Sequence, residues 1–265
     1  MAAVGTTKPL AVVTGASAGI GRELAQCFAR DGIDLVISAR HQEQLAQLAS
    51  EWSERYGVRV TPIAADLSSA EGAMALADAI DALNLSPTFL VNNAGFGTVG
   101  PFAETPLPTH LALASVNMLA PTILTHRLLP SIRQRRGRIL NIASTAAFQA
   151  GPMMAMYFAS KAYLLHWSEA IADELAGQGV TVTALCPGPT NSEFFDRAGM
   201  RGTRLANPPT GLATAEAVAA AGYAAMKQGR RMSVHGSANK VMALATRFAP
   251  RRLATWIARF IVSAA

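Results

Sequence analysis

Six short, almost continuously apolar runs punctuate the chain: 9–14 (Pro-Leu-Ala-Val-Val-Thr), Ile33 to Ser38, Val58 to Ala64, Thr88 to Val91, Arg138 to Ile142 and Val180 to Leu185. Runs of this length and β-branched content predict strands buried on both faces. Between them, apolar residues recur at helical spacing, predicting helices through Leu24, Ala25 and Phe28, then over 41–56, 70–83, 107–132, 155–176 and 214–228. Arg231 to His235 predicts a last short strand. Strand and helix alternate with no internal repeat and no break in composition before about residue 236. That order predicts one α/β domain over 1–236, a doubly wound parallel sheet of about seven strands flanked by helices, with ligands at the carboxyl ends of the strands. Two stretches depart from the pattern. Residues 191–212, rich in Gly, Pro and Arg, predict an irregular, mobile lid within a covering region of about 188–228. The tail 237–265, broken at Pro250, predicts an amphipathic extension with Leu253, Trp256, Ile257, Phe260 and Ile261 on one face and Arg251, Arg252 and Arg259 off it.

Composition narrows the classes. A chain of 265 residues with 51% hydrophobic and 15% charged residues has ample material for a core. No apolar run reaches the ~18 residues of a membrane span, and Met1 to Thr14 lacks a basic region and a cleavage site, so a cytoplasmic protein is expected. Cys27 and Cys186 stand in apolar segments and the five histidines are scattered, which predicts core thiols and no metal site. The formal charge of +6 is concentrated in the tail: 217–265 carries 8 basic and 0 acidic residues, against 15 basic and 17 acidic over 1–216. No aromatic stacking platform or reader motif accompanies these cations, so nucleic acid is not an expected partner.

Chemistry gathers where the strands end. After the first strand, Gly15, Ser17, Gly19, Ile20 and Gly21 make a glycine loop opening a helix, either a phosphate cradle at the positive helix end or a plain tight turn. The second strand ends near Arg40, where an NAD-binding unit would carry an acid. A guanidinium there suits a 2′-phosphate and favours NADP(H) over NAD(H), unless Arg40 only opens the next helix. Asp66 and Leu67 follow the third strand, the carboxylate being placed to accept from adenine, to cap the next helix, or both. Asn92, Asn93, Ala94 and Gly95 follow the fourth, as a turn or as small residues close to a ligand. Asn117 is an expensive polar residue in an apolar helix unless it finds partners. Ser144 ends the fifth strand and Pro187, Gly188 and Thr190 the sixth. Met153, Met154, Phe194 and Phe195 are either packing or the greasy wall of a pocket.

Tyr157 and Lys161 share one helix face a turn apart, and a cation beside a phenol favours the phenolate. Tyr223 and Lys227 have the same spacing, so spacing alone does not decide which pair matters. The surroundings favour the first pair, which follows a serine at a strand end.

In order and spacing, Thr14-Gly15-x-x-x-Gly19-Ile20-Gly21, Asp66, Asn92-Asn93-Ala94-Gly95, Asn117, Ser144, Tyr157/Lys161 and Pro187-Gly188 make residues 8–236 resemble the short-chain dehydrogenase/reductase family, and Arg40 its NADP-preferring members. The resemblance implies a Rossmann-like fold, with Tyr157 as general acid/base, Lys161 lowering its pKa and holding the nicotinamide ribose, Ser144 donating to the substrate oxygen, and Asn117 supporting a water-linked proton path. It further implies NADPH-dependent, reversible reduction of a ketone or aldehyde by a homodimer or homotetramer. The apolar lid and tail point to a bulky apolar substrate. The tail has two natural uses, packing over the cleft or a partner subunit, or weak contact with an anionic membrane surface. Two rivals stand beside the enzyme: a non-catalytic nucleotide sensor on the same fold, and a membrane-peripheral module.

Overall fold

The computed structural model describes residues 8–200, 202–208 and 211–263. The opening segment 1–7, on which part of the reading of the N-terminus rests, lies outside them, as do Arg201, Pro209 and Thr210 of the expected lid and the last two residues of the tail.

The predicted strands form within two residues of their expected bounds: β1 (Leu10–Thr14), β2 (Asp34–Ala39), β3 (Val60–Ala64), β4 (Phe89–Asn92), β5 (Arg138–Ile142), β6 (Thr181–Cys186) and the short β9 (Met232–Val234). They make one parallel seven-stranded sheet in the order β3-β2-β1-β4-β5-β6-β9. Helices cover both faces: α1 (Gly19–Arg30), α2 (Gln42–Tyr56) and α8 (Ala215–Lys227) one, α3 (Ala70–Ala82), α5 (Ala120–Gln134) and α6 (Ala155–Glu174) the other. This explains why the strands lack polar alternation. Along β1, Ala11 and Val13 pack with Phe28, Leu45, Trp52 and Met226, while Leu10 and Val12 pack with Leu76, Leu128 and Val182 on the opposite face. Reversal of strand order between β1 and β4 opens the crevice in which such sheets bind ligands.

The expected helix 107–132 is interrupted. α4 (Leu107–Ala114) widens into a single π turn, Ser115–Leu119, before α5 begins, and Asn117 stands in that turn. By length and composition 107–134 would pass for a membrane span, contrary to the sequence reading. It serves instead as a core helix, with Leu113, Leu124, Leu128 and Ile132 buried.

The covering region 188–228 divides into two parts. β7 (Thr190–Asn191) pairs in parallel with β8 (Ala213–Thr214), enclosing α7 (Phe194–Arg197) and a 3-10 turn at Arg204–Ala206. α8 belongs to the body, because Val218, Ala219 and Met226 sit in the sheet core. Two helices end the chain, α9 (Ser237–Phe248) and α10 (Arg251–Val262). α10 turns Ala258 and Val262 onto Met154, Phe158, Phe195 and Met200, and the Arg204 guanidinium, 4.3 Å over the Phe260 ring, donates to the Phe260 carbonyl. Of the predicted apolar face, Leu253, Trp256, Ile257 and Phe260 are exposed and Ile261 is half-buried.

Candidate active site

The carboxyl ends of β1, β2, β4, β5 and β6 open into one cavity of about 1270 Å3. Gly15 and Gly19 adopt positive φ (65° and 54°), which only glycine accepts without strain, and this aims the loop into α1. The α1 N-terminus is capped by Ala18, whose side chain has no hydrogen-bonding group, and its first turn carries no acid. Its leading N–H groups and helix dipole are thus left for an anion. Gly21 does not line the cavity. A Cβ there would fall 2.2 Å from Asn93 Nδ2 and 2.3 Å from the Gly15 carbonyl, so its role is to let the helix seat on the loop. The loop is tied down by Thr14, whose Oγ1 donates to the Val91 carbonyl and accepts from the Asn93 and Ala94 N–H groups, while Asn93 Nδ2 donates to the carbonyls of Thr14 and Gly15. The Asn-Asn-Ala-Gly turn is therefore a brace as well as a cavity wall.

At the far end, Arg40 and Asp66 line the same cavity. Arg40 is exposed and its guanidinium has no ion-pair partner among the described residues. Asp66 accepts from the Ser68 N–H at 3.0 Å, and this bond, helped by the Arg40 charge, holds its carboxyl below the usual range. It does not cap α3; Ser69, three residues on, does so by accepting from the Gly72 N–H. Ser17, Ile20, Leu67, Ala94, Pro187, Gly188 and Thr190 complete the long wall. A helix end without a side-chain cap and a cleft of this size suit a dinucleotide.

The reactive corner lies at the ends of β5 and α6. Ser144 begins a 3-10 turn (Thr145–Phe148); its Oγ accepts from the Ala146 N–H, and it lines the cavity beside Tyr157, near enough to favour the phenolate. Lys161 is 5% exposed, donates from Nζ to the Ile142 carbonyl at 2.8 Å, and stands 5.8 Å from the centre of the Tyr157 ring. Burial dominates both groups, pushing the phenol up to about 12 against the opposing influence of the nearby Ser144 hydroxyl, and the ammonium down to about 8. The sequence-based expectation that Lys161 lowers the phenol's pKa is not met in the protein alone. The ammonium is turned to a carbonyl, and desolvation disfavours both charged forms.

Asn117 does not face the cavity. Its Oδ1 accepts from the Phe96 N–H, and its Nδ2 donates to the Phe96 carbonyl and to Ser160 Oγ, which donates in turn to the Tyr157 carbonyl. The π turn thus aims an amide that links α6 to the loop after β4. A Cβ on Gly95 would lie 3.2 Å from Asn117 Oδ1 and 3.4 Å from Lys161 Nζ, so glycine is what lets both polar groups approach there. The roles of Phe96 and Ser160 had no distinct signal in the sequence, and Thr14 stood there only as the first residue of the glycine-loop motif.

On the substrate side, Phe194 lies 5.3 Å from Tyr157, ring centre to ring centre, and Met154 and Phe195 join it in the wall. Met153 does not. It takes a left-handed backbone (φ 69°), gives its carbonyl to the Gly100 N–H, and packs outside the cavity in the apolar cluster. Ala258, Ile261 and Val262 of α10 close this end, which spacing alone did not assign to the pocket. The second Tyr/Lys pair has another occupation: Tyr223 and Lys227 both donate to Asp31 at 2.8 Å, clasping α8 to the end of α1.

The sequence profile of the short chain dehydrogenase family matches residues 9–200. The chain belongs to that family. A short chain dehydrogenase of Pseudocercospora fijiensis is 35% identical over 188 residues, 69% of this chain and 60% of its own. The ketoacyl reductase HetN of Nostoc sp. is 34% identical over 219 residues, 82% of this chain and 74% of its own. A solved short-chain dehydrogenase from Sphingobium yanoikuyae in complex with NADPH superposes with a TM-score of 0.80 at 29% identity, covering 91% of this chain and 94% of that one. This chain's matches span about half to three fifths of the first curated relatives. Solved short-chain dehydrogenase relatives hold NADPH in some cases and NAD in others.

Proposed function

We propose that the protein is an NADPH-dependent reductase of bulky apolar ketones or aldehydes, reversible as an alcohol dehydrogenase. The observation that carries this reading is the gathering of Ser144, Tyr157 and a buried Lys161 at one end of a cleft that Arg40 lines at the other. When bound, the cofactor supplies the hydride. The chain's own residues handle the proton and the charge. With its pKa raised to about 12, Tyr157 keeps its proton throughout the neutral range and is ready to donate. Ser144 and Tyr157 converge on the position where a carbonyl oxygen would become negative, and donors aimed there act most strongly on the transition state. Lys161 carries an ammonium at neutral pH beside the nicotinamide end, and the Asn117 amide fixes α6 in register through Ser160.

Arg40 supports NADPH, since a free guanidinium matches a 2′-phosphate and no acid stands there for a 2′-hydroxyl. Met154, Phe194, Phe195 and the α10 residues support an apolar substrate. Self-association as a dimer or tetramer in the cytoplasm belongs to the same reading. A panel of aliphatic, aromatic and polycyclic ketones and aldehydes, followed by NADPH absorbance, tests it. Turnover should favour the larger apolar members and fall by ~10²-fold or more in Tyr157→Phe; turnover near the native rate in that variant would overturn the assignment of the acid.

A further inference from the structure

The two C-terminal helices repeat one design. On α9, Val241, Leu244 and Phe248 form an exposed apolar ridge opposite the buried Ala243. On α10, Leu253, Trp256, Ile257 and Phe260 form a second ridge opposite the buried Ala258 and Val262. Phe248 is 81% and Trp256 64% exposed. Each ridge has cations on the same flank: Lys240 and Arg247 on α9, Arg252 and Arg259 on α10. Each of the four immediately precedes a ridge residue, which sets it about 100° round the helix. All four are exposed, and none has a carboxylate partner among the described residues.

We infer that α9 and α10 seat the protein on the surface of an anionic lipid bilayer. A helix lying in a bilayer interface needs an apolar ridge that enters the acyl boundary and cations beside it at headgroup level, with the protein attached along the remaining side. Both helices have these three sectors, and Trp256 is the residue type most at home at that depth. Charge decides between lipid and a second copy of the chain. Residues 237–265 hold 5 basic and 0 acidic residues, so a two-fold contact through these helices would set like charges against one another, whereas anionic headgroups complement them. The inner side of α10 also walls the substrate end of the cavity through Ala258, Ile261 and Val262, and the ridge residue Phe260 reaches its rim. One helix thus carries the docking ridge on its outside and the pocket on its inside, which suits a substrate drawn from the lipid phase. That last point rests on the proposed function; the docking does not.

Cosedimentation of the full chain with vesicles tests the docking without any assay of activity. The protein should pellet with phosphatidylglycerol/phosphatidylcholine vesicles, much less with phosphatidylcholine alone, and be released by salt. Arg252→Gln with Arg259→Gln should lower the anionic partition coefficient by about 30-fold, taking each cation near such a surface at about fivefold. Phe248→Ser with Trp256→Ser should abolish binding while leaving lipid-free reduction of a soluble ketone unchanged. Light scattering accompanies both variants. Native protein that stays in the supernatant with anionic vesicles at every lipid concentration overturns the inference. So does a native oligomer that the ridge variant dissociates without any vesicle binding, which would give the face to a second copy. Should the ridge variant fail to fold, the native protein and the glutamine variant still decide the matter.

Discussion

Replacing Lys161 with methionine should make the protein more stable at neutral pH. Lys161 is 5% exposed, and burial lowers its pKa from 10.5 to about 8. At pH 7 the unfolded chain holds this proton about 300-fold more favourably than the folded one, a cost of roughly 3 kcal/mol that an apolar side chain of similar length avoids. Loss of the charged bond to the Ile142 carbonyl takes back about 1.5–3 kcal/mol. The net gain is therefore small, up to about 1.5 kcal/mol, where an ordinary core substitution loses stability. The pH dependence is the sharper test. Because the folded pKa is depressed, the penalty is fully present below about pH 8 and is relieved as pH rises toward the unfolded value of 10.5. Between pH 7 and 9.5 the native protein should gain about 2 kcal/mol relative to the methionine variant. Tyr157, shifted upward, makes its own contribution only above about pH 10 and is common to both proteins. Urea unfolding of both proteins at the two pH values measures the difference. Parallel pH profiles, or a variant destabilised by several kcal/mol at pH 7, would refute a buried ammonium that folding disfavours.

Other outcomes follow from the same geometry. Tyr157→Phe should cut turnover by ~10²–10⁴-fold or more while NADPH still quenches or enhances fluorescence on binding. Ser144→Ala should cost ~10²–10³-fold in kcat by removing one of two oxygen donors, and an equal loss in kcat and cofactor affinity would argue against that role. Arg40→Ala should weaken NADPH by ~10–100-fold and leave NADH unchanged; isothermal titration with the two cofactors reads the contrast. Gly21→Ala should destabilise the fold by ~1–3 kcal/mol or more, since the new Cβ meets the Gly15 carbonyl and Asn93, and a variant with native melting would refute the close seating of α1.

The alternation of apolar runs with helical periods was enough to predict a doubly wound sheet, because strands buried on both faces leave an unbroken apolar signature. Residue type at the strand ends placed most of the site for the same reason: Gly15, Arg40, Asp66, Asn93, Ser144 and Gly188 all follow a strand, and parallel strands bring their ends to one edge. Spacing could not say what each group bonds to. Only the tertiary structure turned Lys161 toward Ile142 and gave the α3 cap to Ser69. It also sent Tyr223 and Lys227 to Asp31, because partners distant in sequence leave no local trace. The tail makes the same division plain. Its periodicity fixed an apolar face, but α10 is held by the small Ala258 and Val262, and the large residues were left outside. Periodicity reports that a face is apolar; which face the protein covers is decided by the shape of what it meets.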